Sequence, residues 1–342
     1  SRYGSWPYLA ERTTMYVDSA SDATNPTGFS DNKLSCMTEA VAMWKYLAGR
    51  YFTSISCAAD SDFSGEVITI TNSFVSINGG NNTFGEIVME NGEPNGILFD
   101  NAMDLVYAAI PAPNKEELKS MIRAACSMLN SYGITSCQSD DYCVFQNVPW
   151  EAINEAYREM EEAGELTVRV YEQANFTKLA SLAEFVEAGN TTGAGSDTFR
   201  IGPLKLLGDG ALGARTAYLT EPYQDAPETR GLSVFTPQVF DEMIGHAHEQ
   251  GMQVAVHCIG DACLDLVLSC IEKALTEHPR EDHRHGIVHC QITRPDQLQK
   301  IADLNLHVYA QSIFLDYDLH IVEERVGKEL AQSSYSWKTL MD

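Results

Sequence analysis

Residues 251–291 constrain the fold of this chain more than any other stretch. They read GMQVAVHCIGD, continue through an amphipathic run and close with HRHGIVHCQ. Val254-Ala255-Val256 and Ile287-Val288 are short apolar runs rich in β-branched residues, and each ends in a histidine, His257 and His289. Between them, residues 262–275 place apolar side chains at helical spacing. A strand, a helix and a second strand in this order predict two parallel neighbours joined by a crossover. The two imidazoles should then emerge side by side at the carboxyl ends of adjacent strands, where α/β folds place their chemistry.

Two histidines so placed suit a divalent transition metal, because neutral imidazole binds zinc, iron and nickel. Each could instead cap its strand with a local hydrogen bond; the pairing on adjacent strands favours the metal. Cys258 and Cys290 follow the histidines directly. Side chains alternate across a strand, so the histidines are taken as ligands and the cysteines as small buried filler.

A further stretch, GPLKLLGDG at residues 202–210, sets Lys205 inside an apolar strand. A lysine is seldom buried without a partner, and burial disfavours its charge. Lys205 either snorkels to the rim or pairs with Asp209; otherwise, as a neutral amine, it adds carbon dioxide to form a carbamate that ligates metal as a carboxylate does. Asp209, Arg215 and Asp261 fall in loops just beyond the strand ends, where substrate-binding or ligand-orienting groups belong. His283 and His285 precede the His289 strand as candidate rim groups, and His285 is assigned to substrate binding. Asp140, Asp141 and Glu172 also stand at strand ends and would either line the pocket or be solvated. His246 and His248 lie two apart in a helix, on different faces, and are expected at the surface.

From Phe84 onward the punctuation is regular. Asn91-Gly92 marks a hairpin turn within residues 85–99. Helices are expected over 113–129, 149–163, 177–188, 238–250, 262–275 and 295–304. Strands are expected over 134–138, 166–171, 199–207, 254–257, 287–289 and 306–310. Such alternation means a parallel sheet, and site residues at strand ends favour a (β/α)8 TIM-type barrel over a doubly wound sheet, although six strands are two short of closure. Gly208 to Gly213 is not followed by the helix that a dinucleotide-binding glycine motif requires. Residues 1–82 are rich in Ser, Thr, Asn and Gly and read as a β-rich lead-in with residues 19–30 as loop; residues 83–342 form the barrel domain.

With 342 residues, 44% of them hydrophobic, the chain can bury one large α/β core, with or without a smaller domain. Lys plus Arg number 23 against 48 Asp plus Glu, a formal charge of −25. That surface argues against nucleic acid or an anionic membrane as partner and suits a small-molecule substrate. No run approaches the roughly 18–20 apolar residues of a membrane span. The first residues lack a signal peptide's basic start and apolar core. Nine cysteines without paired spacing fit reduced thiols of a cytoplasmic protein. The opening residue is Ser rather than Met, so the true start is expected upstream. A homo-oligomer is compatible with all of this.

The runs KLLGDGALGARTAYLTEPY, AHEQGMQVAVHCIGDA and HRHGIVHCQITRPD resemble the amidohydrolase superfamily. More narrowly, they resemble the amidohydrolase-3 branch that includes N-substituted formamide deformylases, and the likeness continues through YAQSIFLDYDLH and SYSWKTLMD. The resemblance implies a metal-bearing barrel with a small β-sandwich. It makes Lys205 the carboxylated lysine, and His257 and His289 the ligands on the next two strands. Two departures stand out. The family's first strand carries His-x-His, yet this chain has no histidine before His246, and the family's final catalytic aspartate has no counterpart here. Val288 also stands where many relatives carry Glu.

The expected function is therefore a metal-dependent hydrolase acting on an amide-type carbon–nitrogen bond through metal-activated water, with one or two divalent ions, zinc foremost. Lys205, His257 and His289 are the catalytic and metal-binding residues; Asp209, Arg215, Asp261 and His285 bind substrate. The missing ligands are expected to lie in a longer chain, with a partner chain that completes the barrel as another account. The alternative function is a non-catalytic binding or regulatory relative that keeps the barrel without the full metal site. A lyase or isomerase on the same scaffold is a third.

Overall fold

The computed structural model describes residues 112–145 and 147–341, together with the backbone of four short strands before them. In that earlier part, β1 (Ser54–Ser56) pairs in parallel with β2 (Val67–Thr69). β3 (Gly85–Glu90) pairs antiparallel with β4 (Glu93–Asp100), with Ile87 opposite Leu98, so the expected hairpin forms. Its turn residues, the remainder of the lead-in over 1–82 and the loop expected at 19–30 lie outside the described residues.

Two compact units emerge, Ser1–Thr135 with Phe145–Val168, and Ser136–Val144 with Arg169–Asp342. In the first, α1 (Lys115–Ser131) starts at a capping box. The Asn114 side chain accepts the Glu117 N–H, and the Glu117 carboxylate accepts the Asn114 N–H. α1 is fastened to α2 (Trp150–Glu162) by Lys115 and Lys119 on Glu159, while α2 buries Ile153, Ala156, Tyr157 and Met160 at helical spacing.

The second unit is built on one six-stranded parallel sheet. Its strands are β5 (Ser136–Ser139), β6 (Arg169–Asn175), β7 (Phe199–Leu207), β8 (Val254–Cys258), β9 (Gly286–His289) and β10 (His307–Tyr309). They lie in chain order from one edge to the other. The crossovers carry α3 (Leu179–Glu187), α4 (Pro237–Glu249), α5 (Asp261–Glu277) and α6 (Pro295–Asp303). This is a parallel half-barrel of βα units. β7 and β8 are central and buried over most of their length, as near-continuous apolar strands must be. α4 sets Phe240, Met243, Ile244 and Ala247 on one stripe, and α5 sets Cys263, Leu264, Val267, Leu268 and Ile271 on another. Burying each large side chain contributes about 1.5–3 kcal/mol.

The apolar pattern misplaces one strand. The run expected at 166–171 buries Leu166 and Val168 ahead of the ladder, and β6 begins at Arg169 and continues through Glu172, Gln173 and Asn175. Two glutamines bond across the sheet: Gln173 on β6 donates to Gln138, and Gln253 just ahead of β8 donates to the Tyr309 hydroxyl. A hydrophobicity pattern cannot register a strand that bonds through amides. His248, expected at the surface, is buried at the end of α4.

Beyond the strands' carboxyl ends, the loop after β7 folds onto α7 (Val322–Ser333). Leu212, Ala217, Leu219, Tyr223 and Ala226 form a second core with Ile259, Ile292, Val322, Val326 and Tyr335. Arg325 and Arg215 both bind Asp225 and pin the same loop. Gly231 (φ +74°) lets it turn where a Cβ would stand 1.9 Å from the Ala217 carbonyl oxygen.

Candidate metal centre

β7, β8 and β9 present Lys205, His257 and His289 together. Register places Lys205 beside Ala255, Leu207 beside His257, and Cys258 beside His289. The imidazoles of His257 and His289 meet edge to face with ring centroids 4.6 Å apart. Cys258 and Cys290 are both buried.

β9 ends in an unusual way. His289 (φ +73°) and Cys290 (φ +53°) are consecutive non-glycine residues in the left-handed region. Each costs about 1–3 kcal/mol, and such strain persists where surrounding structure and function demand it. The Cys290 N–H donates to the Cys258 carbonyl oxygen at 3.0 Å, which fastens the bend to β8. The His289 Nδ1 is buried and, among the described residues, has no hydrogen-bond partner. Burial, with His257 and Lys205 adding to it, pushes the His289 pKa down to about 3, so the ring is neutral.

Lys205 is 7% exposed, and among the described residues no hydrogen bond or ion pair reaches its amine. Burial lowers its pKa, partly offset by Asp140. Asn175, its register partner on β6, also has a buried and unpartnered Nδ2. A buried amine, an unpartnered ring nitrogen and an unpartnered amide cluster at one end of the sheet. Buried polar groups are normally satisfied, so this concentration calls for an explanation.

The other expected site residues are placed differently. Asp209 and Asp261 lie just past the ends of β7 and β8, and both are buried. Asp261 accepts the Thr220 N–H and pairs with Arg294 at 2.8 Å. Arg215 is engaged by Asp225. His285 is not brought to this end at all. It precedes β9, fully buried at the amino ends of the strands, where its Nδ1 accepts the Val254 N–H. Glu172 is buried, and its Oε1 accepts the Asp141 N–H at 2.7 Å. Gln311, which follows β10 and acts on the His289 ring, escaped the sequence argument. Its position two residues past a strand end was the available signal.

Among the described residues, no three His, Cys, Asp or Glu side chains converge as a metal site would require. The two imidazoles need Lys205, or ligands from elsewhere, to complete a set. A cavity of about 1310 Å³ opens at the amino ends of the strands, bordered by Arg169, Tyr171, Arg200, Gln253 and Arg284. It is on the far side from these groups, and the chemistry points to the carboxyl ends instead. No helix among the described residues is long and apolar enough to cross a membrane.

Residues 80–342 match the model of the amidohydrolase family. A curated relative, "Putative amidohydrolase YtcJ" of Bacillus subtilis, is 33% identical over 259 residues, covering 73% of this chain and 45% of that protein. The crystal structure of an uncharacterized metal-dependent hydrolase from Pyrococcus furiosus is 32% identical with a TM-score of 0.59, over 71% of this chain and 48% of that one. Its counterpart from Pyrococcus horikoshii is 27% identical with a TM-score of 0.61, over 73% and 48%. The chain thus spans about half the length of the relatives it matches. With the family match covering most of its length, this chain belongs to the amidohydrolase family.

Proposed function

We propose that the chain carries part of the active site of a metal-dependent hydrolase that cleaves an amide-type carbon–nitrogen bond outside peptide backbones. The orphaned Nδ1 of His289, buried beside the His257 ring and the Lys205 amine, is the observation that carries this reading. Lys205, His257 and His289 would hold one or two divalent ions. Neutral imidazoles with a carbamate oxygen make a donor set that suits zinc. The carbamate arises when the neutral Lys205 amine bonds to the carbon of carbon dioxide and releases one proton to water. Burial, by disfavouring the ammonium form, prepares the amine for that step. A divalent metal bound here lowers the pKa of water and polarises a carbonyl.

The remaining residues shape the site. Asp261 with Arg294, and Arg215 with Asp225, fasten the loops that would border a small-molecule substrate. The relatives' greater length supports taking the half-barrel as six strands of a (β/α)8 barrel. The family match beginning at residue 80 supports a boundary near residue 82. Free thiols suit a cytoplasmic location.

A non-catalytic relative is the second reading, favoured by the lack of three converging conventional ligands among the described residues. Elemental analysis of the purified chain after zinc loading and buffer exchange separates the two. The hydrolase reading expects at least one retained ion per chain, and the loaded protein should release amine from N-acyl substrates. A metal-free chain overturns it in favour of the second reading.

A further inference from the structure

We propose that Asp209 is a positioning residue rather than a substrate contact: with the Gly210 carbonyl it holds the proton of His257 on Nε2 and leaves Nδ1 as the nitrogen open to metal. The inference deepens the metal-centre reading and rests on it for its functional meaning.

The Asp209 side chain is fully enclosed, so no face of it remains for a substrate. Its Oδ1 accepts the Ile259 N–H at 3.0 Å, and its Oδ2 accepts the N–H groups of Gly260 at 2.7 Å and Tyr218 at 2.9 Å. One carboxylate therefore ties the loop after β7 to the turn between β8 and α5. The approach is close. A Cβ on Gly260 would stand 2.1 Å from the Tyr218 carbonyl oxygen, which itself accepts the Ala262 and Cys263 N–H groups. The turn that follows His257 is thereby clamped within two residues of the imidazole.

The imidazole is read by the same groups. His257 Nε2 lies 3.1 Å from the Gly210 carbonyl oxygen and 3.3 Å from Asp209 Oδ1. A carbonyl oxygen only accepts, and both Asp209 oxygens already accept backbone N–H groups, so the nitrogen that faces them must donate. The opposite tautomer would aim a lone pair at the carbonyl oxygen and at the enclosed carboxylate. With the proton on Nε2, a neutral ring carries its lone pair on Nδ1, and a metal-binding histidine is oriented by the bond its other nitrogen makes. Lys205 is not the partner of Asp209: among the described residues no ion pair joins them.

The test is nitrogen-15 NMR of the full chain, metal-free and labelled at histidine, in mildly alkaline buffer. The His257 signal is assigned through its loss in His257→Asn. Long-range proton–nitrogen correlations should show a protonated Nε2 and a bare Nδ1; a protonated Nδ1 overturns the proposal. In Asp209→Asn, zinc affinity should fall about 10–100-fold, the effect of removing a group that orients a ligand, and the His257 signals should report mixed tautomers. A folded variant with unchanged zinc affinity and an unchanged His257 spectrum also overturns it. If Asp209→Asn does not fold, the wild-type tautomer decides. If the wild-type chain takes up no zinc, the hydrolase reading fails, while the tautomer still settles what Asp209 does.

Discussion

Histidines gather at both ends of the parallel sheet, and the two ends are bonded in opposite ways. At the amino ends, His248, His283 and His285 form a relay that uses every ring nitrogen. The Val254 N–H donates to His285 Nδ1, whose Nε2–H donates to His248 Nδ1, whose Nε2–H donates to the His278 carbonyl. The His285 N–H donates to His283 Nδ1, and His283 Nε2–H donates to the Leu304 carbonyl. At the carboxyl ends, His289 leaves a buried nitrogen without a partner, and Lys205 stands beside it unpaired among the described residues. A satisfied buried network contributes stability; unsatisfied buried groups cost it. The amino-end histidines are therefore construed as architecture and the carboxyl-end pair as chemistry.

Paired alanine substitutions are the strongest way to break that distinction. His285→Ala strands the Val254 N–H and His248 Nδ1 at about 1–3 kcal/mol each, so urea unfolding should show a loss of about 2–5 kcal/mol. His289→Ala should shift stability by less than about 1 kcal/mol. Its zinc affinity should fall more than about a hundredfold, beyond the loss of an orienting group. Equal stability losses at the two positions would mean that burial, not satisfaction of partners, separates the ends.

Acid sharpens the contrast with a smaller effect. Burial, reinforced by His283, Arg280 and His248, pushes the His285 pKa down to about 2, and burial lowers that of His283 as well. In the unfolded chain both titrate near 6.5. Below that pH the unfolded state binds protons that the folded state refuses, so stability is full above about 6.5 and declines as pH falls toward the folded value. Each such histidine contributes a slope of at most about 1.4 kcal/mol per pH unit. Unfolding free energies measured from neutral pH down to mildly acidic pH should fall, and His285→Ala should flatten the curve. An unchanged slope in that variant would place the acid sensitivity elsewhere, with carboxylates as the first suspects.

Much of this arrangement is legible from periodicity. Residues 251–291 announce β8, α5 and β9 because two β-branched runs flank a helical pattern, and the emergence of His257 and His289 side by side follows from parallel pairing alone. What periodicity cannot supply is the fate of polar groups. His285 and His289 look alike in HRHGIVHC, yet they stand at opposite ends of a four-residue strand, one satisfied and the other not. The same blindness hid the polar half of β6, where Gln173 bonds across the sheet, and it could not foresee that backbone N–H groups occupy the Asp209 carboxylate. Direction along the strand and competition for hydrogen bonds are three-dimensional facts. Residue type carries them only in part.

The smallest perturbation isolates one remaining ambiguity, namely whether any loss of stability weakens zinc binding. Thr236 caps α4, accepting the Val239 N–H at a long 3.4 Å, and it lies far along the helix from His248. Thr236→Ala removes one cap bond and touches neither histidine group, so it should cost about 0.5–1 kcal/mol. The helix keeps Pro237 at its first position, which limits fraying because the proline's φ is already helical. Zinc affinity should then equal that of the unmodified chain, measured by competition with a chelating dye. If it instead falls in proportion to the stability lost, zinc binding tracks the folded population, and the weakening expected for His289→Ala could no longer be assigned to a missing ligand. If it holds, that weakening belongs to the ring nitrogen that the fold leaves unbonded.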